Sequence, residues 1–156
     1  MEIESIIGEL LINKNLTIAT AESCTGGMVA ARLVNYPGIS QCLIEGIVSY
    51  SNDSKIRRIN VKQDTLNKFG AVSSEVAGEM AMGVAKTSGA DIGISTTGIA
   101  GPGGGSKEKP VGLVYIGIFY LNKLVTKELR INGDRQEIRN ETVNILLQEL
   151  LQIIKN

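Results

Sequence analysis

The feature that most limits how this chain can fold is a repeated switch of hydrophobic period. Helical and β-rich runs alternate at first, three helical runs then follow one another to residue 88, and three β-rich runs precede a last helix. Ile3, Ile6, Ile7, Leu10 and Leu11 recur at helical spacing, which predicts an amphipathic helix over 2–13. Leu16 to Thr20 reads as a short strand, and Met28 to Asn35 as the helix after it, ended by Pro37-Gly38. Cys42 to Tyr50 reads as a second strand, followed by a helix that contains Lys55 and starts at an Asn52-Asp53 cap. A short helix over 63–69 closes at Gly70. A longer one, capped by Ser73 or Ser74, runs to Ser88 and stops at Gly89. Asp91 to Thr97 is an apolar strand. Val111–Leu121 and Leu124–Ile131 form a hairpin around Asn122-Lys123, and Asp134 with Glu137 opens the last helix, whose stripe is Val143, Leu147, Leu150 and Ile154.

The order α-β-α-β-α-α-α-β-β-β-α predicts an α/β fold, a mixed sheet covered by helices on both faces. No linker or repeat divides residues 1–156, so one domain is expected. Aromatic residues are 4% and Trp is absent, so the core must be built from Ile, Leu, Val and Ala. Lys+Arg and Asp+Glu are both 16, a balance that offers neither nucleic acid nor a membrane surface an electrostatic footprint. Cys24 and Cys42 form no CxxC and are too few for a disulfide framework. Glu2, Glu4 and Glu9 oppose a signal peptide, and no apolar run is long enough to span a bilayer. A cytoplasmic protein is expected.

The chain has no histidine. Ser-His-Asp and Cys-His triads and His-based zinc sites are therefore impossible within it, and two separated cysteines make no thiolate zinc site. Any general base must be Lys, Asp, Glu, Tyr or an activated water. Three segments follow strands, where ligands bind in open α/β sheets: Ala21–Gly27, Tyr50–Lys55 and Thr97–Ser106. If their strands are parallel neighbours, the loops converge on one crevice.

In the first, Ser23 precedes a helix that begins with two glycines, whose free N–H groups can hold an oxyanion; taken alone, Ser23 or Thr25 reads as a helix cap. In the second, Lys55 can take a serine proton if burial lowers its pKa, and Tyr50 can orient it or relay a proton; taken alone, they read as a solvated lysine and a packed tyrosine. The third matches neither the P-loop nor Gly-x-Gly-x-x-Gly and reads equally as a phosphate cradle or a flexible connection. Ser106-x-x-Lys109 is discounted because Pro110 and the upstream glycines oppose the helical turn it needs. Cys24 reads as a buried structural thiol. Arg135 and Arg139, one turn apart, suit either an anionic ligand or surface ion pairs.

Taken together, Ala21-Glu22-Ser23-Cys24-Thr25-Gly26-Gly27, Tyr50-Ser51-Asn52-Asp53-Ser54-Lys55, Thr97-Gly98-Ile99-Ala100-Gly101-Pro102, Gly104-Gly105-Ser106 and Lys109-Pro110-Val111-Gly112 resemble the CinA C-terminal domain family. Gly70-Ala71-Val72-Ser73 and Gly133-Asp134-Arg135 also fit. Leu113 departs from a position where many members carry a small polar residue, which bears on strand packing rather than chemistry.

The resemblance implies a three-layer α/β/α sandwich in the stand-alone form of the family. It implies a nicotinamide mononucleotide deamidase, forming nicotinate mononucleotide and ammonia in pyridine-nucleotide salvage. Ser23 would be the nucleophile, Lys55 the base and Tyr50 its helper. Thr25, Gly26 and Gly27 would form the oxyanion hole. Thr97, Gly98, Ala100, Gly101, Gly104, Gly105, Ser106 and Arg135 would shape the nucleotide pocket. The expected partner is a small-molecule nucleotide, with no metal and no cofactor. A homo-oligomer is expected, through Val111–Leu121 or the small residues of the helix over 74–88. The alternative is a catalytically silent nucleotide-binding or protein-interaction module of the competence/damage-inducible type.

Overall fold

A computed structural model describes residues 1–156. The helices are α1 (Ile3–Asn13), α2 (Met28–Val34), α3 (Asn52–Ile59), α4 (Gln63–Phe69), α5 (Ser74–Ser88) and α6 (Arg135–Lys155). The strands are β1 (Ile18–Glu22), β2 (Leu43–Val48), β3 (Ile92–Gly98), β4 (Leu113–Tyr120) and β5 (Lys123–Arg130). They form a five-stranded sheet in the order β2-β1-β3-β4-β5. β1 is parallel to β2 and to β3, whereas β4 is antiparallel to β3 and to β5. The fold is an α/β fold with a mixed sheet flanked by helices, as the alternating periods predict.

Burial follows from position in the sheet. Every residue of β1 is buried, because helices cover both of its faces. Ile18, Ile92, Ile94, Val114, Ile116 and Ile118 pack with α1, α2 and α6 on one side, while Ala19 and Ala21 pack with α3, α4 and α5 on the other. The edge strands β2 and β5 are mostly exposed. Helix α5 lies close against its neighbours: a methyl group at Gly83 would fall on the Ile59 carbonyl oxygen of α3, and one at Gly117 would stand 2.5 Å from the Ala77 carbonyl oxygen.

Three local details depart from the sequence reading. β1 starts at Ile18 and not at Leu16, because Asn15 adopts a left-handed conformation and the Leu16 N–H closes α1 by donating to the Leu11 carbonyl at 2.8 Å. Ser51, not Asn52 or Asp53, caps α3, its Oγ accepting from the Ser54 N–H. The hairpin turn is Leu121-Asn122, both at positive φ, since Tyr120 pairs with Lys123. Ala77, Gly78, Ala81, Gly83 and Ala85 of α5 are buried, as are Leu113, Val114, Ile116 and Ile118, whereas Val111 and Leu121 at the ends of that run are exposed. The Asp134–Glu137 start of α6 is a complete capping box, as read.

Candidate active site

Because β1, β2 and β3 are parallel neighbours, the loops after them meet at one end of the sheet. Ser23 lies just beyond β1, Tyr50 just beyond β2, and Gly98 ends β3. Helix α3 folds back from β2 and carries Lys55 inward, so that the lysine is 1% exposed. Its Nζ donates to the Ser49 carbonyl at 2.8 Å and the Tyr50 carbonyl at 3.0 Å, and stands 3.1 Å from Ser23 Oγ.

That triangle matters for the charge state. A neutral amine has two N–H donors and one lone pair. With both donors spent on carbonyls, the lone pair faces Ser23 Oγ, and the hydroxyl can donate to it. Burial lowers the Lys55 pKa from 10.5 to about 8; an ionised Cys24 would oppose this. Burial pushes that thiol up to about 11, so it is uncharged where the amine titrates. At neutral pH a minor but usable fraction of Lys55 is therefore unprotonated.

The turn after β1 is held from beneath by Glu22, which is buried. Its carboxyl oxygens accept from the N–H groups of Val29 at 2.8 Å and Ala30 at 3.1 Å, and from the Thr25 hydroxyl. Thr25 Oγ1 is also 2.8 Å from Thr96 Oγ1, which accepts from the Ser23 N–H at 3.3 Å. Two expectations change here. The start of α2 is not an open anion site, because Glu22 already occupies its amides, and neither Ser23 nor Thr25 caps it. Gly26 is not a free oxyanion donor, because its N–H closes on the Ser23 carbonyl at 3.1 Å. The N–H groups of Thr25 and Gly27 make no hydrogen bond within the chain.

A cleft of about 200 Å³ opens beside this turn, lined by Cys24, Tyr50, Gly98 to Gly101, Gly103, Gly104 and Arg135. Tyr50 is 61% exposed, and its carbonyl, not its hydroxyl, meets Lys55. Of the residues expected to shape the pocket, Gly98, Ala100, Gly101, Gly104 and Arg135 line the cleft, and Thr97, Gly105 and Ser106 do not. The Thr97 hydroxyl donates to the Ala71 carbonyl at 2.8 Å, so its strand position points it toward α5. Ser106 Oγ accepts from the Lys109 N–H at 3.0 Å and closes a turn with it. A Cβ on Gly105 would stand 2.8 Å from the Val111 nitrogen, a contact at the base of the loop. The Lys109 amine donates to the Phe69 carbonyl at 2.6 Å, away from Ser106. Leu113, the departure from the family pattern, is buried and accepts from the Ile99 N–H at 2.9 Å.

Helix α6 reaches the site from the far end of the sequence. Arg135 donates to the Gly101 carbonyl at 2.7 Å. Arg139 donates from Nε to the Cys24 carbonyl at 3.0 Å and from Nη2 to the Thr25 carbonyl at 3.2 Å. Neither arginine is in an ion pair. Glu22 and Thr96 join the site without having been singled out in the sequence, and Arg139, which suits an anionic ligand or a surface ion pair there, holds two backbone carbonyls instead. The one available signal was an acidic residue inside an apolar strand, directly before the serine.

The family model for the CinA C-terminal domain matches residues 1–154. A putative competence-damage inducible protein of Clostridium tetani is 66% identical over 148 residues, 95% of this chain and 36% of that protein. One of Clostridium novyi is 64% identical over 141 residues, 90% of this chain and 34% of that protein. The chain thus spans about a third of the length of these curated relatives. The crystal structure of the competence/damage inducible protein CihA from Agrobacterium tumefaciens superposes with a TM-score of 0.91 at 39% identity, covering 100% of this chain and 98% of that one. A CinA superfamily protein from Escherichia coli superposes with a TM-score of 0.94 at 32% identity, over 97% and 88% of the two chains.

Proposed function

The chain belongs to the CinA C-terminal domain family, and on that premise we propose that it hydrolyses the carboxamide of nicotinamide mononucleotide to nicotinate mononucleotide and ammonia. The observation that carries this reading is the buried Lys55 amine, with two carbonyl acceptors and Ser23 Oγ as its third neighbour at 3.1 Å. A structural lysine would be served better by a carboxylate, and none meets it.

Ser23 Oγ–H passes its proton to neutral Lys55 Nζ as Oγ attacks the carboxamide carbon. The carbonyl oxygen becomes an oxyanion facing the unpaired Thr25 and Gly27 N–H groups. The Lys55 ammonium returns its proton to the amide nitrogen, the C–N bond breaks and ammonia leaves, with the acyl group now an ester on Ser23. Lys55 then takes a proton from water as the water attacks the ester, and passes it to Ser23 Oγ as the C–O bond breaks, releasing the acid and free Ser23. Amide plus water gives acid plus ammonia, with no cofactor in the balance.

Arg135 is the one charged side chain in the cleft wall, so it is the partner for the substrate phosphate, beside the free N–H groups of Gly103 and Gly104. The Tyr50 ring forms a wall where the cationic pyridinium can lie. The test is ammonia release by purified protein from nicotinamide mononucleotide, with nicotinamide riboside and free nicotinamide as controls. Ser23→Ala is expected to abolish it. Release at the wild-type rate from Ser23→Ala sinks the mechanism, and none from the wild type favours a silent binding module.

A further inference from the structure

We propose that Arg139 is a positioning residue for the oxyanion hole, acting through the Cys24–Thr25 peptide; the inference rests on the amidase reading above. In a trans peptide the C=O and the N–H point in opposite directions. The Cys24 carbonyl and the Thr25 N–H belong to one such unit. Arg139 Nε holds that carbonyl at 3.0 Å, so the Thr25 N–H is aimed away from the arginine, and it is one of the turn's two unpaired donors among Thr25, Gly26 and Gly27. The neighbouring carbonyl of Thr25 is held by Nη2 at 3.2 Å, and the N–H of that second peptide, on Gly26, is spent on the Ser23 carbonyl. The guanidinium therefore grips two successive peptides from behind and leaves one N–H, that of the buried Thr25, without a partner in the chain.

The contact does more than fix direction. A charged donor on a carbonyl polarises the whole amide and makes its N–H a stronger donor, the cooperativity found along hydrogen-bond chains. Arg139 is half-buried, and no carboxylate pairs with it; its remaining nitrogen, Nη1, is 3.3 Å from the Gln136 side-chain oxygen on its own helix. Its charge is thus not cancelled by a counter-ion beside the point where negative charge develops. Effects of this kind are felt in the transition state and not in the ground state. Arg135, one turn earlier, holds Gly101 across the cleft and has no part in this turn.

The experiment compares wild type, Arg139→Gln and Arg139→Lys on nicotinamide mononucleotide and on nicotinamide riboside, and reads acylation of Ser23 by p-nitrophenyl acetate, which needs the oxyanion hole but not the nucleotide pocket. Deleting a whole oxyanion donor costs roughly 10²–10³-fold in kcat, so weakening one is expected to cost about 10–100-fold. Arg139→Gln should lower kcat by that factor with KM within about threefold, equally on both substrates, and slow acylation in parallel. Arg139→Lys should recover part of the loss. Wild-type kcat in Arg139→Gln overturns the inference. So does a KM increase confined to the phosphorylated substrate, which would make Arg139 a phosphate ligand. If the glutamine variant does not fold, Arg139→Lys decides alone: an intermediate kcat with unchanged KM supports the proposal, and wild-type kcat overturns it. A wild type silent on nicotinamide mononucleotide but acylated at Ser23 removes the amidase reading and leaves this test standing; silence toward both reagents removes both.

Discussion

At Lys55 two requirements meet. The side chain must be buried to lose its proton near neutral pH, yet its polar head must not be left without partners. The Ser49 and Tyr50 carbonyls meet the second requirement without supplying a charge that would hold the proton on. Activity should therefore rise with pH up to about 8, falling about tenfold per unit below it, in the pH dependence of kcat/KM. Lys55→Arg keeps a cation that does not deprotonate, and Lys55→Met keeps none. Both should lose about 10³-fold or more in kcat if the amine is the base. Appreciable turnover in Lys55→Arg would assign the lysine an electrostatic role instead. The types of these residues were legible in the sequence, since a chain without histidine leaves lysine as a ready partner for serine. Their separation was not legible. Ser23 and Lys55 are linked by β2 and the turn into α3, and only the packing of α3 on α5 sets 3.1 Å.

Among the elements, α2 and α5 show how helices serve the site from outside it. The opening amides of α2 bind Glu22 instead of substrate, which ties the helix to the end of β1 and holds the Ser23–Gly27 turn between them. Glu22→Gln places an amide NH₂ where backbone N–H and hydroxyl donors converge. It should cost about 1–3 kcal/mol in a urea titration and lower kcat as the turn shifts. Helix α5 supports the site through closeness. Gly83→Ala would push the Ile59 carbonyl of α3, the helix that carries Lys55. A loss of about 1–3 kcal/mol in stability is expected, accompanied by lower turnover. Helix and strand identities were readable from period alone, as was the α6 capping box. The α2 cap was not, because its acceptor sits in the preceding strand, before the turn, and not at the N-cap where short polar residues are sought.

For the whole molecule, the proposed mechanism makes Lys55 couple catalysis to stability. Its pKa is lowered on folding, so between about 8 and 10.5 the unfolded chain binds a proton that the folded chain does not. Stability then rises with pH across that window, and the cost of burying the charge is fully present below it. Against Lys55→Met, the wild type should gain up to about 3 kcal/mol between pH 8 and pH 10.5, measured as the difference in urea-unfolding free energy. A constant difference across the window would mean that the amine is not depressed. The sheet order also brings α6 to the turn after β1, more than a hundred residues earlier, where Arg139 meets the Cys24 and Thr25 carbonyls, and places Arg135 on the cleft wall. Arg135→Gln should raise KM for nicotinamide mononucleotide about tenfold or more and leave nicotinamide riboside little changed. Equal effects on the two substrates would argue against a phosphate contact.

The alternation of periods by itself determined an α/β fold with a mixed sheet, because a run's period fixes whether it forms a helix or a strand, and strands linked through helices run parallel while a hairpin reverses the chain. The missing histidine by itself restricted the base, and the motif order by itself pointed to the family. Tertiary structure decided which N–H groups stay free in the Ser23–Gly27 turn, that Tyr50 meets Lys55 through its carbonyl, and that Thr97 and Ser106 face away from the cleft. It also decided that Arg139 stands behind the Ser23–Gly27 turn. The physical reason is the same in each case. Local sequence sets backbone preference, but a hydrogen-bond partner is chosen by what the sheet order and helix packing bring within about 3 Å.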